Sequence, residues 1–143
     1  SQILFKTFEN RNQISEIVGM FQKEVAERIV AKKGKKRGIL SVLLQTFYNI
    51  EYCFTVNEHV FIPPPKVKSA VIILRRNNRK ILNIDEEKFK HVIKTAFNQR
   101  RKTLSNALKA FKLINQEEIT SLLTLRAEQL SVDDFIKLTN HVR

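Results

Sequence analysis

The residues best suited to chemistry are Phe61-Ile62-Pro63-Pro64-Pro65-Lys66, an aromatic ring followed by three consecutive prolines and a cation. Each proline holds φ at about -65°, removes a backbone donor and drives the residue before it toward an extended conformation. The segment therefore reads as a stiff extended arm, and the run Val71-Ile72-Ile73-Leu74 behind it as the strand that carries the arm. Two readings fit: the arm presents Phe61 to a flat ligand, or it is a rigid connector whose ring packs into a core. Two cationic clusters suggest phosphate as the second chemistry. Lys32-Lys33-Gly34-Lys35-Lys36-Arg37-Gly38 carries five cations in seven residues and reads as an exposed loop. Gln99-Arg100-Arg101-Lys102 puts three more at the junction of two helices, where a helix start adds backbone donors for phosphate. Taken alone, either cluster also suits a solvated charge run. His59, His91, His141 and Cys53 show no metal-ligand spacing, so no metal site is expected. Cys53, between Tyr52 and Phe54, reads as a small buried hydrophobe on a strand.

These residues need elements to position them. Apolar Ile3, Leu4, Phe5 and Phe8 suit a short helix up to about Asn10, and residues 14–21 read as a strand buried on both faces. Residues 22–31 follow as a helix with Val25, Ile29 and Val30 inward, and 39–47 as another beginning near Gly38. Strands are expected over 50–56 and 70–75, paired antiparallel because the proline arm lies between them. The polar stretch Arg76-Asn77-Asn78-Arg79-Lys80 marks a domain boundary, and everything after it reads as helical. Asp85 caps a helix over 86–97 with Phe89, Val92, Ile93 and Phe97 on one stripe. Further helices are predicted over 102–111, 116–123 and 131–141, the last with Ser131 and Asp134 at capping-box spacing.

Composition narrows the partner. The chain has 143 residues, 43% of them hydrophobic, and only three glycines and three prolines, which fits a packed, helix-rich globular protein. Its 26 basic and 14 acidic residues give a net charge of +12, far more than solubility needs, so a polyanion is the expected partner and nucleic acid the first candidate. No apolar run approaches the ~20 residues of a spanning helix and no signal peptide is visible, which makes the cytoplasm the natural compartment and a membrane partner unexpected. The first residue is not methionine, and a three-stranded sheet entered from a helix is incomplete for an alternating α/β fold. A truncated chain is expected. Its first strand would then be an apolar edge with unpaired backbone groups, inviting self-association.

Four blocks carry a resemblance: Gln22-Lys23-Glu24-Val25-Ala26-Glu27-Arg28, Leu40-Ser41-Val42, the arm from Phe61 to Val71, and Gln99-Arg100-Arg101-Lys102-Thr103-Leu104. In this order they resemble the bacterial ribosomal RNA small-subunit adenine dimethyltransferase family, of which the chain matches the C-terminal half. The resemblance implies a fold of α/β plus all-α class. Residues 1–80 would be the second half of a Rossmann-like methyltransferase sheet, and 81–143 a small helical RNA-binding domain. It implies an enzyme that moves methyl groups from S-adenosylmethionine to the exocyclic amines of two adjacent adenosines, with immature small ribosomal subunits as partner. The family's glycine-rich donor loop, ribose-binding acid and Asn-Leu-Pro-Tyr motif precede the part matched here and are absent, so this chain alone is expected to be inactive and to hold no catalytic residue.

By the same resemblance Phe61 stacks on the target base once it has left the RNA structure, with Pro63, Pro64 and Pro65 as its stiff support. Lys66 either reaches a phosphate or is solvated beside the arm. Arg100, Arg101, Lys102 and Arg126 match positions the family turns toward ribosomal RNA. Arg28 does too, although Glu24 stands at ion-pairing distance along the same helix. For Lys32, Lys33, Lys35, Lys36 and Arg37 the expectation rests on charge alone and amounts to non-specific phosphate attraction. Two other readings remain: a non-catalytic RNA- or ribosome-binding module, and a large-subunit RNA methylase of the antibiotic-resistance type.

Overall fold

The computed structural model of the chain describes residues 2–79 and 82–143. Helix α1 (Gln2–Glu9) buries Leu4, Thr7 and Phe8, the three- and four-residue spacing that puts them on one face. Strand β1 (Glu16–Gln22) runs straight into α2 (Lys23–Val30), which buries Ala26 and Ile29. The basic loop follows, then α3 (Ile39–Phe47), whose first turn is closed by Ser41 Oγ accepting from Gly38 N at 2.9 Å and donating to Arg28 O at 2.6 Å. Helix α3 passes directly into β2 (Tyr48–Val56), and the arm connects β2 to β3 (Ser69–Arg76).

The three strands form one antiparallel sheet in the order β1-β3-β2, with β3 in the centre. The expected pairing of the second and third strands is present, from Tyr48 opposite Arg76 to Val56 opposite Ser69, with a bulge at Cys53. Cys53 is half-buried rather than buried. Two-sided burial of β1 is not found: its residues alternate, Ile17 and Phe21 packing on the core while Val18 and Met20 are 60% and 50% exposed. Both parities of this strand are apolar, but among the described residues helices cover only one face of the sheet. Val18, Met20, Val71, Ile73 and Phe54 line the other face by their register.

After the sheet come α4 (Glu86–Asn98), α5 (Leu104–Ala107), α6 (Thr120–Leu123) and α7 (Val132–Asn140). Asp85 caps α4, its Oδ1 accepting from Lys88 N at 3.1 Å, and Ser131 and Asp134 exchange two bonds at the start of α7. The helices predicted over 102–111 and 116–123 shrink to α5 and to a 3-10 turn (Gln116–Glu118) followed by α6. Thr103, Ser105 and Asn106 bond to one another at 3.0 and 3.3 Å, and Asn115 takes a left-handed conformation, local alternatives that compete with helix propagation.

One hydrophobic cluster runs without interruption from Leu4 through the sheet to Val142. The division expected at residues 80 and 81 falls on residues outside those described. The stretch before it is not a free linker: Arg76 donates to Phe47 O at 2.8 Å and lies over the Phe47 ring, and Arg79 donates to Thr46 O at 3.1 Å and reaches Asp133 of α7 at 2.9 Å. Arg11 adds a stitch from the end of α1 to Glu86 at 2.6 Å. No described helix is long and apolar enough to cross a membrane.

Candidate nucleic-acid interface

Between β2 and β3 the chain must reverse direction, because Val56 lies opposite Ser69. A straight extended arm cannot do this. The segment is instead a loop: a 3-10 turn (Glu58–Val60), capped by Asn57 Oδ1 accepting from His59 N at 2.9 Å, leads to bends at residues 61–63 and 66–67. The Ile62–Pro63 peptide is cis. Phe61 N donates to Glu58 O at 3.3 Å, which fixes where the ring leaves the turn. Phe61 is half-buried and lies outside the buried core, Ile62 is 99% exposed, and Pro63, Pro64, Pro65 and Lys66 are exposed. Lys23 N, at the start of α2, donates to Lys68 O at 2.9 Å and fastens the returning end of the loop. Lys23, Glu58, Lys66 and Lys68 share a shallow groove there with Glu24 and Glu27.

The basic loop occupies the other end of α2, eight residues or about 12 Å along the helix axis. Gly34 turns it with φ of +87°, a conformation that favours glycine, and Gly34 N donates to Glu128 O at 3.1 Å. Arg37 departs from the expected exposed cluster. It is 1% exposed, donating to Leu130 O at 3.1 Å, Ala31 O at 2.7 Å and Gln45 Oε1 at 2.9 Å. Burial pushes its pKa down to about 10, still well above neutrality, so it stays charged and acts as an internal bolt. Gln45 completes the arrangement by donating to Ile29 O at 2.8 Å and Ala31 O at 3.0 Å. A glutamine in the otherwise apolar Leu43-Leu44-Gln45 run was the available signal for this buried network.

Arg100 is also turned inward in part. Its Nη2 donates to Lys35 O at 2.8 Å and Arg37 O at 2.9 Å, and it lies 3.9 Å from Glu128. It therefore ties the basic loop to the end of α4. Arg101 and Lys102 beside it are exposed. Leu104 N donates to Leu125 O at 2.8 Å, which brings the exposed Arg126 against the same junction. Lys32, Lys33 and Lys35 are exposed, whereas Lys36 pairs with Glu27, whose carboxyl is held below its usual range by that hydrogen bond. Arg28 pairs with Glu24 at 3.5 Å. The fold thus gathers the cations of three distant segments, the loop, the turn after α4 and the segment before α7, around the C-terminal end of α2.

A family model described as ribosomal RNA adenine dimethylase matches residues 1–143. Among curated proteins, the ribosomal RNA small subunit methyltransferase A of Cytophaga hutchinsonii is 60% identical over 141 residues, covering 98% of this chain and 55% of that protein. Its namesake from Bacteroides thetaiotaomicron is 58% identical over 145 residues, covering 99% and 54%. The chain spans about half the length of these relatives. Of solved structures, a dimethyladenosine transferase from Plasmodium falciparum has a TM-score of 0.82 at 23% identity, covering 99% of this chain and 64% of that one. The 23S rRNA methyltransferase ErmE has a TM-score of 0.70 at 16% identity, covering 99% and 60%. Both share the fold.

Proposed function

This chain belongs to the ribosomal RNA adenine dimethylase family, and on that premise we propose that it is the part of an S-adenosylmethionine-dependent dimethyltransferase that grips the target adenosine and the small-subunit ribosomal RNA around it. The whole protein then transfers methyl groups to the exocyclic amines of two adjacent adenosines on immature small subunits. One observation carries the reading: a half-exposed Phe61 on an anchored loop at one end of α2, with cations of three segments at its other end. Phe61 stacks on the unstacked base, an interaction indifferent to base identity, and Pro63 to Pro65 limit the ring's freedom to fall back. Lys32, Lys33, Lys35, Arg101, Lys102 and Arg126 hold phosphates, with Lys66 nearer the base. Arg37 and Arg100 serve by holding this surface together, and Lys36 and Arg28 are engaged with carboxylates.

Residues 1–80 on this reading are the second half of a Rossmann-like sheet, and 81–143 a helical RNA-binding part. S-adenosylmethionine does not fit the residues of this chain. The strand-to-helix turn at Gln22 and Lys23 has no glycine or side-chain cap, Gly19 lies inside β1, and Gly34 and Gly38 lie between two helices. Donor binding and the catalytic acceptors are accordingly assigned to the portion of the relatives' length that this chain does not span. That portion also covers the apolar face of Val18, Met20 and Phe54 and pairs with the free edge of β1; without it, copies of the chain associate there.

The test is methylation by the full-length protein of immature small subunits and, separately, of large-subunit RNA. Dimethylated adenosines in the small-subunit RNA are the expected product. Modification of large-subunit RNA alone would overturn the reading in favour of a resistance-type methylase, and tight subunit binding with no methyl transfer in favour of a non-catalytic module.

A further inference from the structure

The outer face of α4 carries a second concentration of charge, built around an aromatic floor and used by none of the roles above. Lys88, His91 and Lys94 follow one another at three-residue spacing on that face. With Phe111 and Val142 they line a groove between α4 and the last residues of the chain. Backbone bonds make the far wall rigid: Ile114 N donates to His141 O at 2.8 Å and Arg143 N to Lys112 O at 2.9 Å, on either side of a bridge between Leu113 and Val142. The His91 imidazole meets the Phe111 ring edge-on, with centroids 5.0 Å apart and planes at 67°. His91 is exposed and Phe111 half-buried. Glu87, the one carboxylate side chain in the lining among the described residues, is taken by Lys90 at 3.4 Å. Lys88 donates to the Val142 carbonyl at 3.3 Å, and among the described residues neither Lys88 nor Lys94 forms an ion pair.

We propose that this groove is a second RNA contact, taking one unpaired nucleotide with its base against Phe111 and His91 and its phosphate toward Lys88 and Lys94. An aromatic surface flanked by cations is the combination that binds single-stranded nucleic acid without sequence preference. Charge complementarity selects a polyanion, and the aromatic floor selects one that carries flat bases. The groove lies at the C-terminal end of α7, whereas the basic loop touches Leu130 just before its N-terminal end, about 13 Å away along nine residues. The inference rests on the RNA-binding part of the reading above and is independent of methyl transfer.

The experiment uses full-length protein and a short unstructured oligoadenylate RNA carrying a photoreactive base. Crosslinks at His91 or Phe111 are expected. His91→Ala with Lys94→Glu, both exposed positions, should weaken oligonucleotide binding about tenfold and abolish those crosslinks. Arg101→Ala with Lys102→Ala should leave those crosslinks in place. If binding responds to the second pair of changes only, and no crosslink falls on the groove, the inference is wrong while the RNA reading stands. If neither pair changes binding, both fail. Displacement of the RNA by polyglutamate as readily as by unlabelled RNA would make the groove a site for acidic proteins and overturn the proposal.

Discussion

Three single residues, Phe61, Arg37 and His141, each give a distinct and measurable signature. Phe61 is half-buried and outside the core, so Phe61→Ala should barely alter stability. A lost stacking contact of roughly 1 to 3 kcal/mol corresponds to a fall of about fivefold to 150-fold in kcat/KM, with donor affinity unchanged. Wild-type turnover in that variant would remove the ring from the site. Arg37 gives the opposite pattern. Arg37→Met strands acceptors on Leu130 and Gln45 and should lower stability by about 2 to 4 kcal/mol in denaturant unfolding, leaving the salt dependence of RNA binding as it was. His141 adds a pH dependence. Its Nδ1 faces Lys137 O and its Nε2 faces a Glu118 oxygen, both at 2.9 Å, and two acceptors require two donating ring nitrogens. The backbone bond first, and Glu118 second, raise its pKa above the ordinary value. A raised folded pKa stabilises fully below the unfolded value of about 6.5 and is lost as pH climbs through the folded one. The melting difference between wild type and Glu118→Gln should accordingly be larger at about pH 6 than at pH 9, and a difference independent of pH would remove the imidazolium pair.

At the level of elements, α2 is the strut that spaces the Phe61 loop from the basic loop, and the turn after α4 is where charge and architecture separate. Arg100 spends its guanidinium on the carbonyls of Lys35 and Arg37, but Arg101 and Lys102 stay in solvent. Arg101→Ala with Lys102→Ala should therefore flatten the log-log salt slope of RNA binding by up to about two, at unchanged melting temperature. Arg100→Ala should instead lower the melting temperature. Identical behaviour of the two variants would contradict this division. The same contrast explains how much of the interface was legible. A run such as Gln99-Arg100-Arg101-Lys102 states its charge plainly, but which of three neighbouring cations points inward depends on Lys35, sixty-five positions earlier.

At the scale of the chain as a whole, helices cover only one side of the sheet among the described residues, and β1 is an edge strand there with Val18 and Met20 exposed. Association of this chain through that edge should appear in analytical ultracentrifugation at high concentration and disappear with Val18→Lys, a charge of the kind that blocks edge pairing. A monomer at all concentrations would contradict the edge-pairing proposal. The amino-acid order by itself determined the strand and helix series through α4, the Asp85 and Ser131 caps, the antiparallel pairing across the arm and the resemblance on four blocks, because periodicity, capping and proline geometry act over a few residues. It overstated the helices around Ser105 and Thr120, where local side-chain bonds compete with the helix. Only the tertiary structure decided that the arm bends, that Arg37 is an internal bolt, that β1 shows one apolar side to solvent, and that His91 and Phe111 share a groove. Those outcomes depend on which distant backbone carbonyls and rings come within a few ångströms, and separation along the chain carries no record of that.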